Sequence, residues 1–305
     1  MRRFAVVLAF AACHDAGQPV VQPTVAPSVA AAGPDLRDPF ALMPSDSDVL
    51  FSIDVAALRR SPLWAKYKSS VVELAGPSFA ACGYDPFDDI TLITAGMPLE
   101  GQLGVFVIRG LDRDKLLHCL HTPTPETATA VTFDGDFITF TNKSGTINLM
   151  TFVDAHNAVM QGSTHPTKET LTQALKVGAP LRKDADLVAA FDKLAPNAAV
   201  SLVSRPGSQA FAKMMEQKTG APSRSLAATF HLTDHVEVHA AIVLSNADDA
   251  TAIVAQMQPR IAGLKPYVDR FDEHAESDTV RIDVSMTEDQ LKVLTALVKR
   301  AIGST

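Results

Sequence analysis

Several features that are scarce or missing from this chain exclude whole classes of protein. Beyond the N-terminus there is no apolar run of about 18 residues, so no internal membrane-spanning helix is predicted. Basic residues are in the minority, and 27 Lys and Arg against 34 Asp and Glu give a net charge of -7. A broad nucleic-acid-binding surface is therefore not expected. The 3 cysteines form no Cys-x-x-Cys pair, which argues against a zinc ribbon or a thioredoxin-type site.

The common catalytic motifs are also missing. There is no G-x-G-x-x-G and no G-x-x-x-x-G-K-[ST], so the sequence predicts no loop that cradles a nucleotide phosphate. The hydrolase signatures H-E-x-x-H, G-x-S-x-G and S-x-x-K do not occur. A catalytic triad assembled from distant residues stays open, because its members need not be close in sequence.

The first residues have the pattern of an export signal. Two cations, Arg2 and Arg3, precede a short apolar run over residues 4–12 and then Cys13. This order predicts a signal peptide over residues 1–12. The segment Phe10-Ala11-Ala12-Cys13 resembles a bacterial lipobox, although Phe10 stands where an aliphatic residue is usual. The resemblance implies that Cys13 is diacylated and anchors the chain in a membrane. Plain secretion after an A-x-A cleavage, a wrongly assigned start codon and a buried first helix or strand are the alternatives.

Residues 13–38 are predicted to be a Pro/Ala-rich linker. Pro19, Pro23 and Pro27 recur every four residues, and Pro34 closes the run. Proline fixes φ and disfavours helix in the residue before it, so the segment is expected to be extended. It suits a tether between a lipid anchor and a folded body, and a tail without an anchor has the same composition. The expected location is the bacterial cell envelope, facing the periplasm or the cell exterior.

Two further cysteines bear on the same location. With Cys13 acylated, Cys82 and Cys119 are left, and an oxidising periplasm would allow them to form a disulfide. Two buried free thiols are an equal alternative, because the sequence does not show that the two residues are close.

The order of strand and helix patterns in the remaining chain predicts an α+β fold of two similar halves, residues 39–180 and 181–305. Each half is expected to follow the β-α-β-β-α-β order of a ferredoxin-like unit, with helices covering antiparallel sheets. In the second half, strands 226–232 and 236–244 are predicted to form a hairpin. A helix is expected to follow with Ser245 as its cap. Thr287 to Gln290 has the pattern of a capping box that opens a final helix.

One stretch of the body resembles known proteins. The P-x-D-x-D-V strand that starts at Pro44 and the S-P-L-W helix opening that ends at Trp64 are similar to segments of uncharacterised exported bacterial proteins. The resemblance covers about 20 residues and implies no catalytic residue.

The best candidate for chemistry is a group of polar residues on the predicted hairpin. If Thr233 to His235 form the loop, His231 lies opposite Glu237, and His239 lies two positions along the same face. Two imidazoles and a carboxylate could hold Zn²⁺ with one position open. The alternative is that period-2 alternation places these side chains on the solvent face of a half-buried hairpin. No other cofactor is predicted.

These observations predict an exported cell-envelope lipoprotein whose α+β body binds a ligand or a protein without catalysis. The alternative is a periplasmic metal-dependent hydrolase that uses His231, Glu237 and His239. A third option is an assembly or inhibitor protein that exposes a sheet edge for strand addition. The expected partners are the membrane, through the N-terminal lipid, and an envelope protein or small ligand.

Overall fold

The structure, a computed structural model, describes residues 36, 38–75, 83–99, 104–121, 130–141, 147–163, 166–177, 180–263 and 265–293. Its described residues divide into two compact units. Unit 1 takes in the residues up to Asp46 together with Tyr67–Leu181, and unit 2 takes in Ser47–Lys66 and the residues from Arg182 onward. The predicted signal peptide (residues 1–12), the predicted lipidation site Cys13 and the linker as far as residue 35 lie outside the described residues.

Unit 1 is built on an antiparallel sheet. Its strand order is β2-β3-β7-β6-β5-β4, and each neighbouring pair is antiparallel. The strands are β2 (Leu92–Met97), β3 (Gly104–Arg109), β4 (Ala130–Asp134), β5 (Phe137–Thr141), β6 (Ile147–Phe152) and β7 (Asn157–Ser163). The helices are α3 (Pro86–Asp89), α4 (Arg113–His121) and α5 (Lys168–Val177), with most of α2 (Pro62–Ala75).

Two local features at the end of β3 stabilise unit 1. Arg109 is buried in β3, and its guanidinium donates hydrogen bonds to the Thr94 hydroxyl at 3.2 Å and to the Asp38 carbonyl at 2.9 Å. The next residue, Gly110, has φ +86°, and a Cβ there would lie 2.4 Å from the carbonyl oxygen of Asp89. Only glycine fits this turn between β3 and α4, because both the backbone conformation and the close approach exclude a side chain.

Unit 2 also has an antiparallel sheet, with the order β11-β12-β10-β9-β8-β1. The strands are β1 (Val49–Asp54), β8 (Val200–Ser204), β9 (Ser223–Leu232), β10 (Val236–Leu244), β11 (Arg270–Glu276) and β12 (Thr279–Met286). The helices are α1 (Val55–Arg60), α6 (Ala185–Asp192), α7 (Gln209–Thr219) and α8 (Ala247–Ala262). A last helix starts at residue 288 and is described as far as residue 293.

Local side-chain caps fix several of these helices. Ser208 caps α7, because its hydroxyl accepts the backbone N–H of Phe211 at 3.1 Å. Thr287 and Gln290 make the predicted capping box, with the Thr287 N–H donating to the Gln290 side chain at 2.9 Å. The predicted cap of α8 is one residue off: Asn246, not Ser245, accepts the N–H of Asp249 at 2.9 Å.

The α+β prediction with antiparallel sheets is confirmed. The order β-α-β-β-α-β occurs twice along the chain, starting at β1 and at β8, with α1 to α3 together in the place of the first helix. The ferredoxin-like arrangement is not confirmed. A split β-α-β unit would place β10 between β8 and β9, whereas β9 pairs directly with β8 and α7 connects these neighbours.

Residues 47–66 were expected in the first half, but their contacts place them in unit 2. The reason is the antiparallel pairing of β1 with β8, in which Val49 lies opposite Ser204 and Ile53 opposite Val200. Sequence order alone does not indicate a strand partner about 150 residues away, because non-local pairing carries no local signal.

Candidate functional site

The β9–β10 hairpin places the predicted polar residues on one face. Glu237 pairs with His231, as the sequence predicted, because Thr233 to His235 form the connecting loop. His239 lies opposite Thr229 on β9 and opposite Asp283 on β12. Asp283 was not predicted, because β12 lies 44 residues further along the chain.

Direct contacts join these side chains. The Nδ1 atom of His239 lies 2.5 Å from an oxygen of Asp283, and its Nε2 atom lies 4.0 Å from an oxygen of Glu237. The rings of His231 and His239 meet edge to face, with centroids 5.7 Å apart. The side chains are partly exposed, which fits the solvent face of a half-buried hairpin.

The hairpin loop extends this group of residues. His235 lies between two carboxylates, with Nδ1 2.6 Å from Asp234 and Nε2 3.0 Å from Glu237. The hydrogen bond to Glu237, followed by that to Asp234, raises the pKa of the His235 imidazole above its ordinary value. The same contacts lower the pKa of the Glu237 and Asp234 carboxyl groups. At this loop the two carboxylates favour the protonated form of His235, and His235 favours the ionised forms of Asp234 and Glu237.

The predicted metal ligands lie on one face of the hairpin and contact other polar side chains. Within the described ranges, no group of three or more His, Cys, Asp or Glu side chains is arranged to hold a metal ion. Asp283 contacts one nitrogen of His239, and His235 contacts one oxygen of Glu237. The zinc site remains a prediction.

The cysteines are only partly covered by the structure. Cys119 is buried in α4 and is disulfide-bonded. Cys13 and Cys82, the other two cysteines of the chain, lie outside the described residues. The pairing of Cys82 with Cys119 and the lipidation of Cys13 therefore stay predictions.

The opposite face of the same strands is apolar, and much of it is only half-buried. Helix α8 packs at one end, where its Ile253 belongs to a core with Leu244 and Val280. On the same face, two rows of side chains cross six strands, and we call them together the apolar face; Ile282 of the first row packs against the α8 core. The first row is Phe51, Leu202, Ala228, Ala240, Ile282 and Glu273. The second row is Ile53, Val200, Phe230, Val238, Val284 and Phe271.

None of these 12 residues is fully buried, although 11 of them are apolar. Phe230, near the middle of the second row, is 39% exposed. With strands about 4.8 Å apart, each row extends over about 24 Å. Contiguous apolar residues that stay partly accessible to solvent are typical of sites of ligand or protein binding.

The apolar face was not predicted, although the alternation of residues in the sequence indicates part of it. Alternation in β9 and β10 indicates that Phe230 and Val238 share a side that is opposite to His231 and Glu237. Alternation shows which residues share a face, but it does not show how much of that face a helix covers.

Glu273 is the exception in the first row. It lies opposite Ile282, and among the described contacts its two buried carboxylate oxygens have no hydrogen-bond partner. Burial raises the pKa of the Glu273 carboxyl above its ordinary value. The apolar environment disfavours the ionised form of this acid, because an unpaired charge is costly there.

The comparisons with known proteins identify structures of similar fold, but they identify no family. No family model and no curated protein matches the chain. Solved structures of TP0453 are similar. Crystal form III has a TM-score of 0.55 at 12% identity, covering 82% of this chain and 94% of that one. Crystal form I has a TM-score of 0.51 at 13% identity, covering 85% and 97%. At this identity the likeness shows the α+β fold alone. In the described part of the chain, no helix is both long and apolar enough to cross a membrane.

Proposed function

We propose that this chain is an exported lipoprotein of the bacterial cell envelope, anchored through Cys13, and that its body binds an apolar ligand or an apolar segment of a partner protein. The apolar face of unit 2 is the observation that carries the binding role. The signal-like N-terminus, the lipobox resemblance and the proline-rich linker support the location. The role is non-catalytic, since no familiar catalytic motif occurs in the sequence.

The apolar face provides a physical reason for binding. Each 100 Å² of apolar surface removed from water contributes about 2.5 kcal/mol, and the two rows offer a continuous surface across the sheet. The sheet is already formed in the free protein, so little ordering entropy opposes binding. Phe230 is an exposed aromatic near the middle of this face, where an anchoring contact is most effective.

Binding of the fluorescent apolar probe 1-anilinonaphthalene-8-sulfonate tests this role, with Phe230→Ala as the variant. Loss of the aromatic contact should cost about 1 to 2 kcal/mol, which raises the probe's Kd about 5- to 30-fold. Phe133→Ala is the matched control, because Phe133 is 38% exposed but lies on β4 of unit 1. An equal loss in both variants, or no loss in Phe230→Ala, would contradict binding at this face.

The intact mass of the natively expressed protein tests the location. A mature chain that starts at Cys13 and carries acyl mass is expected. A rise of about 2 Da on reduction would indicate one disulfide, as predicted for Cys82 and Cys119. An unprocessed chain that still begins at Met1 would refute the lipoprotein proposal.

One contact favours the alternative, a metal-dependent hydrolase. Asp283 holds Nδ1 of His239, and carboxylates often orient metal-binding histidines in this way. Metal analysis of gently purified protein separates the two functions. Less than about 0.1 metal ion per chain would count against the hydrolase, whereas a stoichiometric metal lost in His239→Ala would support it.

We also propose that the two halves of the chain arose by internal duplication of one ferredoxin-like element order. The repeated β-α-β-β-α-β order and the antiparallel strand pairing within each unit support this proposal. Each order begins with a strand, β1 or β8, that leads into helix, and each continues into an antiparallel pair, β2–β3 or β9–β10.

A further inference from the structure

Strand β4 ends the strand order of unit 1, and its sequence is complementary to itself. Among the described strands, β5 is the only neighbour of β4. We propose that β4 pairs antiparallel with β4 of a second copy of this chain, so that the two sheets join edge to edge across a twofold axis. A second copy is the expected partner because antiparallel pairing of β4 with itself places complementary residues opposite each other.

The hairpin geometry shows which backbone groups are available. Gly135 and Asp136 form a two-residue turn, and Asp134 lies opposite Phe137 where the turn closes. In such a hairpin the closing pair exchanges hydrogen bonds, and every second pair does so again. Thr132 therefore directs its N–H and C=O toward β5. Val131 and Phe133 direct theirs to the outer edge, and neither donates nor accepts in any other described contact.

These outward groups fix the register of a dimer. Antiparallel exchange of hydrogen bonds requires Val131 of one copy to lie opposite Phe133 of the second copy, with Thr132 opposite Thr132 at the twofold axis. The pairing gives four backbone hydrogen bonds. It also makes two valine–aromatic cross-strand pairs and one threonine–threonine pair, which are favourable combinations on neighbouring strands.

The side chains at this edge are suited to the pairing. Phe133 is 38% exposed and stacks on His121 of α4, with ring centroids 4.3 Å apart. Pairing would cover the exposed part of Phe133 with Val131 of the second copy. Asp134 would face position 130 of the second copy, so no carboxylates oppose each other, and Lys168 already forms an ion pair with Asp134.

The edge of unit 2 has the opposite character. Strand β11 ends that sheet and reads Arg-Phe-Asp-Glu-His-Ala-Glu, and charges of this kind prevent edge-to-edge pairing. Strand β4 reads Ala-Val-Thr-Phe-Asp, with its single charge at the turn. The contrast indicates that pairing is opposed at β11 and permitted at β4.

One strand of this length buries less than the roughly 1,000 Å² that stable interfaces need, so the dimer is expected to be weak. Disulfide trapping of the full chain in intact cells is therefore the test. In the proposed register the two Thr132 Cα atoms lie about 4.5 Å apart, which is within disulfide range. Thr132→Cys should give a covalent dimer on mild oxidation, and reduction should dissociate it.

Asp134→Cys is the matched control, because position 134 is exposed on the same strand and lies about 14 Å from its counterpart across the axis. We expect at least tenfold less dimer from this variant, and none above background from the parent chain with its native cysteines. Adding Val131→Pro to Thr132→Cys removes only an outward N–H and should abolish cross-linking while β4 stays paired with β5.

Three outcomes would overturn the proposal. They are equal cross-linking at positions 132 and 134, no cross-linking at position 132, and a cross-linked product whose mass is not twice that of the chain. The last result would indicate that a segment of another protein pairs with β4.

Discussion

Replacing Glu273 should stabilise this protein, and the gain should depend on pH. The buried carboxylate has no hydrogen-bond partner among the described contacts, and an unsatisfied buried polar group costs about 1 to 3 kcal/mol. Glu273→Met fills a similar volume without a polar atom, so we expect it to recover about this amount at pH 7.5. Glu273→Gln removes the charge but keeps an amide in need of a partner, so it should gain less.

The pH dependence follows from the raised pKa of Glu273. Its ordinary value is 4.5, and burial raises the pKa in the folded chain. Between the two values the folded state binds more protons than the unfolded state. Stability therefore falls as pH rises above about 4.5. The advantage of Glu273→Met should be largest at pH 7.5 and should shrink toward pH 4.

Thermal unfolding of the full chain at pH 4 and pH 7.5 measures this effect. For a unit of this size, 1 kcal/mol corresponds to about 2 to 4 °C in Tm, so Glu273→Met should raise Tm by about 2 to 12 °C at pH 7.5. Glu276→Gln is the control, because Glu276 is exposed on the same strand and accepts a hydrogen bond from Arg281. It should lower Tm slightly. An equal gain for Glu273→Met at both pH values, or no gain at pH 7.5, would refute the reasoning.

Three further substitutions test other features of the fold. Gly110→Ala should destabilise by more than about 2 kcal/mol in urea unfolding, because it adds a contact 2.4 Å from the Asp89 carbonyl to the cost of a positive φ. Ser208→Ala should cost about 1 kcal/mol in the same measurement, because helix α7 loses its cap. His235→Ala should lower the free energy of unfolding by less than about 1 kcal/mol at pH 5.5, and should not lower it at pH 8.5. The raised pKa of His235 makes its stabilisation complete below about pH 6.5 and lost as pH rises through the folded value.

Each of these predictions has a control. Gly135→Ala shares a positive φ of +62° but meets nothing within 4 Å, so its loss should be clearly smaller than that of Gly110→Ala. Ser208→Thr keeps a hydroxyl and should retain most of the stability. A loss in His235→Ala that is the same at both pH values would indicate packing and not charge.

The sequence predicted local structure well where the signal is local. The β9–β10 hairpin, the capping box at Thr287 and the opposition of His231 and Glu237 were all predicted, because each depends on residues within a few positions. Strand β11 was missed, because charged residues outnumber apolar ones in an edge strand and period-2 alternation is weak there. The partners β8 for β1 and Asp283 for His239 were missed because they lie far away along the chain.

The candidate site was predictable only in part, for a related reason. Residue types and alternation identified one polar face of the hairpin. The apolar face became visible only with the register of six strands, and its exposure depends on where α8 packs. A sheet face that a helix covers only in part has the same alternation of apolar and polar residues as a face that is fully covered.

The placement of β1 in unit 2 has a consequence for how the chain is made. The ribosome synthesises β1, which ends at Asp54, well before β8, which begins at Val200. At 5 to 20 residues per second, the interval is about 7 to 30 s. The order is the same for a chain that emerges from an export channel: β1 cannot pair until β8 follows it, and every strand of unit 1 emerges before β8. Unit 1 can therefore fold first, and a fragment that starts at Arg182 would lack the first strand of its own sheet.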